Sequence, residues 1–407
     1  MEKEFLKVYK YRWVVLAVYM LVVAINQLLW ITFAPITSTA AAYYDVTDLS
    51  IGMLSLCFMI VYIFVSIPAS WVIDTYGIRI ALGIGVVLTG VFGLMRGLAA
   101  DDYTWVLLAQ IGIAVGQPFI LNAVTTLSAR WFPTQERATA AGLGTLAIYI
   151  GIIIGLALTP YLTIQSQIGG MLMIYGITSL VVAVIFFILI RERPPTSPSL
   201  PGQDERSLVF DGYKESLQKR DFIMLLVVFF VGLGVFNAVT TWIEDILRPR
   251  GFSIIQAGNT GGMMMVGGII GAVVIPLLSD HYRKRTPYLM MAVAGATAGM
   301  LGVTFAASYS LLLISAFIFG FFLLSAGPIG FQYGAEITYP APEGTSNGLL
   351  LLMGQISGIV FILGMDGFKA PDTGSMTLPL IVLVILMAVS LILTTRLKEA
   401  DPIESSK

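Results

Sequence analysis

The sequence predicts an all-α membrane protein, with twelve transmembrane helices arranged as two pseudo-symmetric six-helix bundles. Three observations predict it. Of the 407 residues, 57% are hydrophobic and only 12% charged, against roughly 25% charged in a soluble domain, so lipid is the solvent for most of the chain. Twelve apolar runs each reach the roughly 20 residues that a bilayer core of about 30 Å requires. The last six runs echo the first six at a nearly constant offset.

In chain order the runs are Trp13–Ile36, Ile51–Ile73, Ile80–Leu98, Thr104–Leu127, Ala138–Leu162, Gly169–Ile190, Phe222–Ile243, Gly258–Ser279, Tyr288–Ala307, Ser310–Gly334, Thr345–Met365 and Leu378–Thr395. Backbone groups in hydrocarbon must be satisfied internally, so these runs are helices. The alternation of a lipid-facing barrel strand is absent. Between the sixth and seventh runs lies the one long polar stretch, Arg191 to Arg220, with six Lys/Arg, five Asp/Glu and four Pro. It reads as a cytoplasmic linker over 191–220, joining bundles over 1–190 and 221–407.

Basic residues set the orientation. With the N-terminus inside, the outer loops and helix ends hold only Arg96, Arg248, Arg250 and Lys369; the other nineteen of the twenty-three Lys/Arg fall inside. The positive-inside rule then puts both termini in the cytoplasm, with the protein in the cell membrane. No cleavable signal peptide precedes the first run.

The repeat is specific. Asp74 and Asp280 are 206 residues apart, as are Arg79 and Arg285, Thr139 and Thr345, and Gly142 and Gly348. Such a repeat makes each half a six-helix unit with a path at the interface.

Two levels of resemblance follow. Pro68-Ala-Ser-Trp-Val-Ile-Asp74-Thr-Tyr-Gly77-Ile-Arg79 resembles the signature loop of the major facilitator superfamily, with Thr75 where a basic residue is usual. Asp280-His-Tyr-Arg283-Lys284-Arg285 is similar to its second copy. An aspartate at a helix end pairs with basic residues and helix N-termini, and so latches the halves. The gating set is Asp74, Arg79, Asp280, Arg283 and Arg285, with Glu136, Glu336 and Glu343 as acidic partners. Within the superfamily, Leu29-Trp30-Ile31, Gly116-Gln117-Pro118-Phe119-Ile120 and the run from Glu336 to Gly348 resemble the feline leukaemia virus subgroup C receptor-related transporters. That family moves choline and ethanolamine; haem export has been proposed for members, and a relative handles pyridoxine. Its aromatic cage implies Trp30, Gln117 and Gln355 as substrate-binding residues here. The helix-seven tyrosine of the family falls on Asn237, so a cation between two ring faces loses one of them, about 0.5–2 kcal/mol when desolvated.

The residues add to this set. Asn26 and Gln27 lie one turn before Trp30, and Tyr149 lies one repeat before Gln355. None of the runs carries a charged residue or histidine near its middle, where proton-coupled carriers hold theirs. Glu244 and Asp245 end the seventh run roughly 33–35 Å along it, either as solvated interfacial charges or as an outer vestibule for a cation. Arg96 is likewise near the outer edge.

The expected function is secondary-active or facilitative transport of a small polar or cationic organic solute, choline-, ethanolamine- or pyridoxine-like, by alternating access. The alternative is a proton-coupled antiporter of amphipathic metabolites or drugs, haem-like ones included, that uses Glu244 and Asp245. A membrane enzyme has nothing to build on, because His281 and Cys57 are the only residues of their kinds and no phosphate loop is present. A net charge of -1 offers nucleic acid no basic field. The expected partners are the solute and the bilayer, for a monomer with no cofactor and no metal.

Overall fold

The computed structural model describes residues 8–196, 216–339 and 343–399, without the side chains of 134 and 343–345. Residues 197–215 of the expected linker lie outside this set. The chain divides into two compact units, Met1–Arg206 and Ser207–Lys407.

The first unit holds α1 (Arg12–Ile31), α2 (Thr37–Tyr44), α3 (Asp48–Tyr76), α4 (Ile78–Leu98), α5 (Tyr103–Leu121), α6 (Val124–Trp131) and α7 (Arg137–Leu189). Starts are capped by side chains: Thr47 accepts from Ser50 N at 3.2 Å to open α3, and Asp102 accepts from Thr104 N at 2.8 Å to open α5. α7 packs on α1 and α4, and α5 on α3 and α4. The core gathers Val15, Tyr19, Val23, Leu82, Ile120 and Phe186.

The second unit holds α8 (Arg220–Thr241), α9 (Ile243–Leu247), α10 (Ile254–Tyr282), α11 (Thr286–Phe305), α12 (Tyr309–Thr338), α13 (Glu343–Gly367) and α14 (Thr377–Thr394). Ser253 and Gln256 form a reciprocal capping box at the start of α10. α10 and α12 make the closest pair. A Cβ at Gly271 would collide with the Phe321 carbonyl, and one at Gly320 with that of Met264. Small residues thus let two backbones touch where hydrophobicity supplies no drive between helices.

Eleven described helical stretches are long and apolar enough to span, and one of them, Arg137–Leu189, carries the fifth and sixth runs together. The connection expected between those runs shrinks to one residue, Gln167, at φ 58° and ψ 176°. The two runs therefore make the count twelve.

Three expected runs are interrupted. The first stops at Ile31, passes through a 3-10 turn at Ala34–Ile36 and resumes as α2. Pro35 explains the stop: it donates no backbone bond, and its ring clashes with the carbonyl four residues earlier, that of Ile31. The fourth run breaks between Leu121 and Val124, just after Pro118, and the seventh breaks at Trp242.

Gln167 sits in a backbone region that glycine occupies at little cost and other residues at about 1–3 kcal/mol. Gln167→Gly is expected to raise the unfolding temperature of the detergent-purified protein, by about 1 kcal/mol in stability. An unchanged or lower transition in a scanning fluorimetry melt would show that the turn is unstrained.

Candidate functional site

The sequence-predicted residues of the first run lie inside their bundle. Asn26 and Gln27 are buried; Asn26 Nδ2 donates to Thr89 Oγ1 at 3.2 Å, and Gln27 Nε2 donates to Asn26 Oδ1 at 3.3 Å. The Asn26 amide therefore ties α1 to α4, and Gln27 braces it from within α1. Trp30, 6% exposed, donates its indole N–H to the Ser55 carbonyl at 3.1 Å. That bond anchors the ring edge to α3 and fixes where its faces stand.

Just beyond Trp30 stands a group the sequence reading placed near the outer edge. Arg96 is 0% exposed. Its Nη1 donates to the Leu29 carbonyl at 3.0 Å and to Gln110 Oε1 at 2.8 Å, and its Nη2 donates to Thr32 Oγ1 at 3.3 Å. Gln110 Nε2 donates to the same Leu29 carbonyl at 3.1 Å. The guanidinium carbon lies 5.6 Å from the Phe33 ring centroid. α1 ends here, leaving carbonyls without intrahelical donors; a cation at a helix C-terminus also matches the dipole. Arg96 thus supports the break that follows Trp30. Its position near a membrane end gave no sign of this, because burial depends on which face of α4 packs inward.

Gln117, on α5, is 7% exposed and makes no hydrogen bond among the described residues. Tyr149, on the first half of α7, is half-buried and likewise makes none. The break after α5 is stapled by a residue that sequence reasoning missed. Asn122 Oδ1 accepts from the Tyr62 hydroxyl at 2.7 Å, and its Nδ2 donates to Ser66 Oγ at 3.0 Å and Ser70 Oγ at 3.1 Å. The polar stripe Tyr62, Ser66, Ser70 at four-residue spacing on α3 was a legible signal.

In the second unit, Asn237 Nδ2 donates to the Gly354 carbonyl at 3.2 Å. This brings Asn237 on α8 beside Gln355 on α13, which is half-buried and makes no hydrogen bond among the described residues. The expectation of solvated charges at the end of the seventh run is corrected. Glu244 is 2% and Asp245 0% exposed. Arg248 Nη2 lies 2.8 Å from Asp245 Oδ1, Arg248 Nη1 lies 3.7 Å from Glu244 Oε2, and Lys369 Nζ lies 3.1 Å from Asp245 Oδ2. Trp242 covers the break, donating its indole N–H to the Ile362 carbonyl at 3.0 Å. Two buried acids are thus matched by two partly exposed bases, and the cluster carries no net charge.

At the basic membrane ends the two halves use one device. Gly77, at φ +91°, turns the chain from α3 into α4. Glu192 accepts there from Ile78 N at 3.2 Å and Arg79 N at 2.7 Å and pairs with Arg130. A Cβ at Gly77 would collide with that carboxylate. In the second unit, Glu399 accepts from Arg285 N and from Thr286 N at 3.2 Å. Both acids satisfy the first orphan amides of a helix and meet its positive end. Glu192 and Glu399 stand 207 residues apart, an echo the sequence offered.

Of the expected gating set, Asp280, Arg285 and Glu336 come together: Arg285 bonds Asp280, and its Nε donates to Glu336 Oε1 at 3.2 Å. Partial burial lowers the Arg285 pKa, but the Asp280 bond and the Glu336 charge outweigh it and the net shift is upward. Glu136 accepts from Arg12 Nε at 3.0 Å and Nη2 at 3.2 Å, tying α1 to the turn before α7. Asp74, Arg79 and Arg283 have exposed side chains with no hydrogen bond among the described residues. The Glu343 side chain lies outside the described residues.

Two outcomes test this geometry. Arg96→Met leaves Gln110 Oε1 buried and unpaired, and is expected to cost about 1–3 kcal/mol; Arg96→Lys does not restore it, because an ammonium lacks the fork that spans three acceptors. Chemical denaturation read by tryptophan fluorescence measures both. Glu192→Gln removes a charge from the α4 N-terminus and from Arg130, and is expected to cost about 1–2 kcal/mol. Wild-type stability in that variant would mean that water caps the helix equally well.

Comparison with known proteins agrees with this architecture. The sequence model of the Major Facilitator Superfamily matches residues 19–362. Solute carrier family 49 member A3 of Xenopus tropicalis is 30% identical over 375 residues, covering 88% of this chain and 78% of the relative. The choline/ethanolamine transporter FLVCR1 of Mus musculus is 29% identical over 430 residues, covering 95% and 75%. Among solved structures, a bacterial homologue of the human lysosomal transporter Spinster superposes with a TM-score of 0.76 at 18% identity, over 96% of this chain and 98% of that one, a likeness of fold. With the family model matched over most of its length, this chain belongs to the Major Facilitator Superfamily of membrane transporters, and within it resembles the feline leukaemia virus subgroup C receptor-related proteins.

Proposed function

We propose that this transporter moves a small polar or weakly cationic organic solute, of the choline, ethanolamine or pyridoxine kind, down its gradient by alternating access between its two halves. The observation that carries the proposal is a pair of mid-span amides. Gln117 in one unit and Gln355 in the other are drawn into membrane helices, yet neither has a hydrogen-bond partner among the described residues. An amide in such surroundings needs a partner, and a solute with hydroxyl, amine or carbonyl groups supplies one. Trp30, its edge held by Ser55, offers a ring face to a cationic group. Asn237 adds a polar group beside Gln355, and Tyr149 is the hydroxyl-bearing counterpart one repeat away. Asn26 and Gln27, engaged with Thr89 and with each other, support the ring rather than touch solute.

The charge arrangement favours transport without proton coupling. Glu244 and Asp245 are matched by Arg248 and Lys369, so neither stands as an unpaired carboxylate. In the cell membrane, with both termini cytoplasmic, the paired loops around Asp74–Arg79 and Asp280–Arg285 act as the inner latch. Glu136, Glu336 and Glu343 serve as acidic partners, and Arg283 as a further base.

Radiolabelled choline, ethanolamine and pyridoxine uptake into proteoliposomes tests this reading. One of these solutes is expected to enter down its own gradient at equal pH on both sides. Trp30→Ala and Gln117→Ala are expected to lower that uptake at least tenfold while the protein still melts cooperatively. Uptake that requires an imposed pH gradient, and that vanishes in Glu244→Gln/Asp245→Asn with Trp30→Ala unaffected, would instead establish the proton-coupled antiporter.

A further inference from the structure

We propose that the groove between α4 and the second half of α7 binds one anionic glycerophospholipid, with its phosphate at Arg79 and an acyl chain along the helices. The groove is open on its lipid side and offers about 680 Å³. Its wall is a helical stripe on α4, in which Ile80, Ile84, Val87 and Leu88 recur at three- and four-residue spacing, closed by Phe187 from α7. Ile80, Ile84, Val87 and Phe187 are exposed; in a membrane protein such a surface faces lipid.

Three features select the occupant. The first is depth. From Arg79 to Leu88 the stripe runs nine residues, roughly 14 Å at 1.5 Å per residue, about half of a hydrocarbon core of roughly 30 Å. That is the reach of an acyl chain within one leaflet.

The second is charge at the mouth. The Arg79 backbone N–H is taken by Glu192, but the guanidinium is exposed, with no hydrogen bond or ion pair among the described residues. Glu192, the one acid lining the groove, is already held by two backbone amides and by Arg130. Exposed Arg191 and Arg193 flank it. The mouth is thus left with unmatched positive charge, at the membrane end where most Lys and Arg of the chain collect.

The third is the wall itself, which offers no polar side chain between Ile80 and Leu88. An extended peptide would leave its backbone unsatisfied there, and a free anion would use the mouth alone. An anionic headgroup on a hydrocarbon chain matches both ends.

Native mass spectrometry of the full-length protein, delipidated in detergent and titrated with phosphatidylglycerol or phosphatidylcholine of identical acyl chains, tests the proposal. One phosphatidylglycerol is expected to stay bound in preference to phosphatidylcholine. Arg79→Gln is expected to weaken that binding about fivefold, the worth of one basic side chain at an anionic membrane surface. A Cβ at Gly83 lies 3.6 Å from the Phe187 ring, so Gly83→Leu fills the wall and is expected to lower binding of both lipids. If that variant does not melt cooperatively, Ile84→Trp replaces it. Equal retention of the two lipids by the wild type and by Arg79→Gln would mean ordinary annular lipid and overturn the proposal. Competition by glycerol 3-phosphate as strong as by the intact lipid would also overturn it, by showing a phosphate site without an acyl contribution.

Discussion

Hydrocarbon offers no partner to a backbone amide, and the structure depends on how the chain meets that constraint where its helices stop. Three membrane helices break inside their span, and at each break a side-chain hydrogen bond ties the broken chain to a neighbouring helix. Arg96 and Gln110 both donate to the carbonyl of Leu29 where α1 ends. Asn122 locks the gap after α5 onto Tyr62, Ser66 and Ser70 of α3. Trp242, at the gap after α8, reaches the Ile362 carbonyl of α13. The broken helices also carry Trp30, Gln117 and Asn237.

The same logic governs charge. Arg96 is fully buried, with neutral acceptors and a ring for company, an arrangement that stabilises because it serves a helix end. Glu244 and Asp245 are tolerated under cover because Arg248 and Lys369 match them. At the basic membrane ends, one carboxylate in each half, Glu192 and Glu399, seats the start of a helix. The two halves therefore share a capping device along with the signature loops, and their ion pairs at those ends differ. Arg130 holds Glu192 in the first, while Arg285 gathers Asp280 and Glu336 in the second.

Among the groups these features leave with hydrogen-bonding capacity to spare within the spans are two neutral amides, Gln117 and Gln355. A binding site made of such groups discriminates by shape and by the match of donors to acceptors. The groove beside Arg79 opens at the signature loop between α3 and α4.

The sequence by itself determined the solvent, the number of spans and the twofold repeat, because runs of apolar residues and an offset of 206 are properties of order along the chain. It also pointed to Trp30, Gln117, Asn237 and Gln355 as polar or aromatic groups in apolar surroundings. Only the tertiary structure decided which of them are engaged: Trp30 is bonded to Ser55 and Asn237 to Gly354, while Gln117 and Gln355 make no hydrogen bond among the described residues. Burial of Arg96, Glu244 and Asp245 was hidden for one reason. Distance along a helix is written in the sequence, but the face that turns inward is set by the helices packed around it.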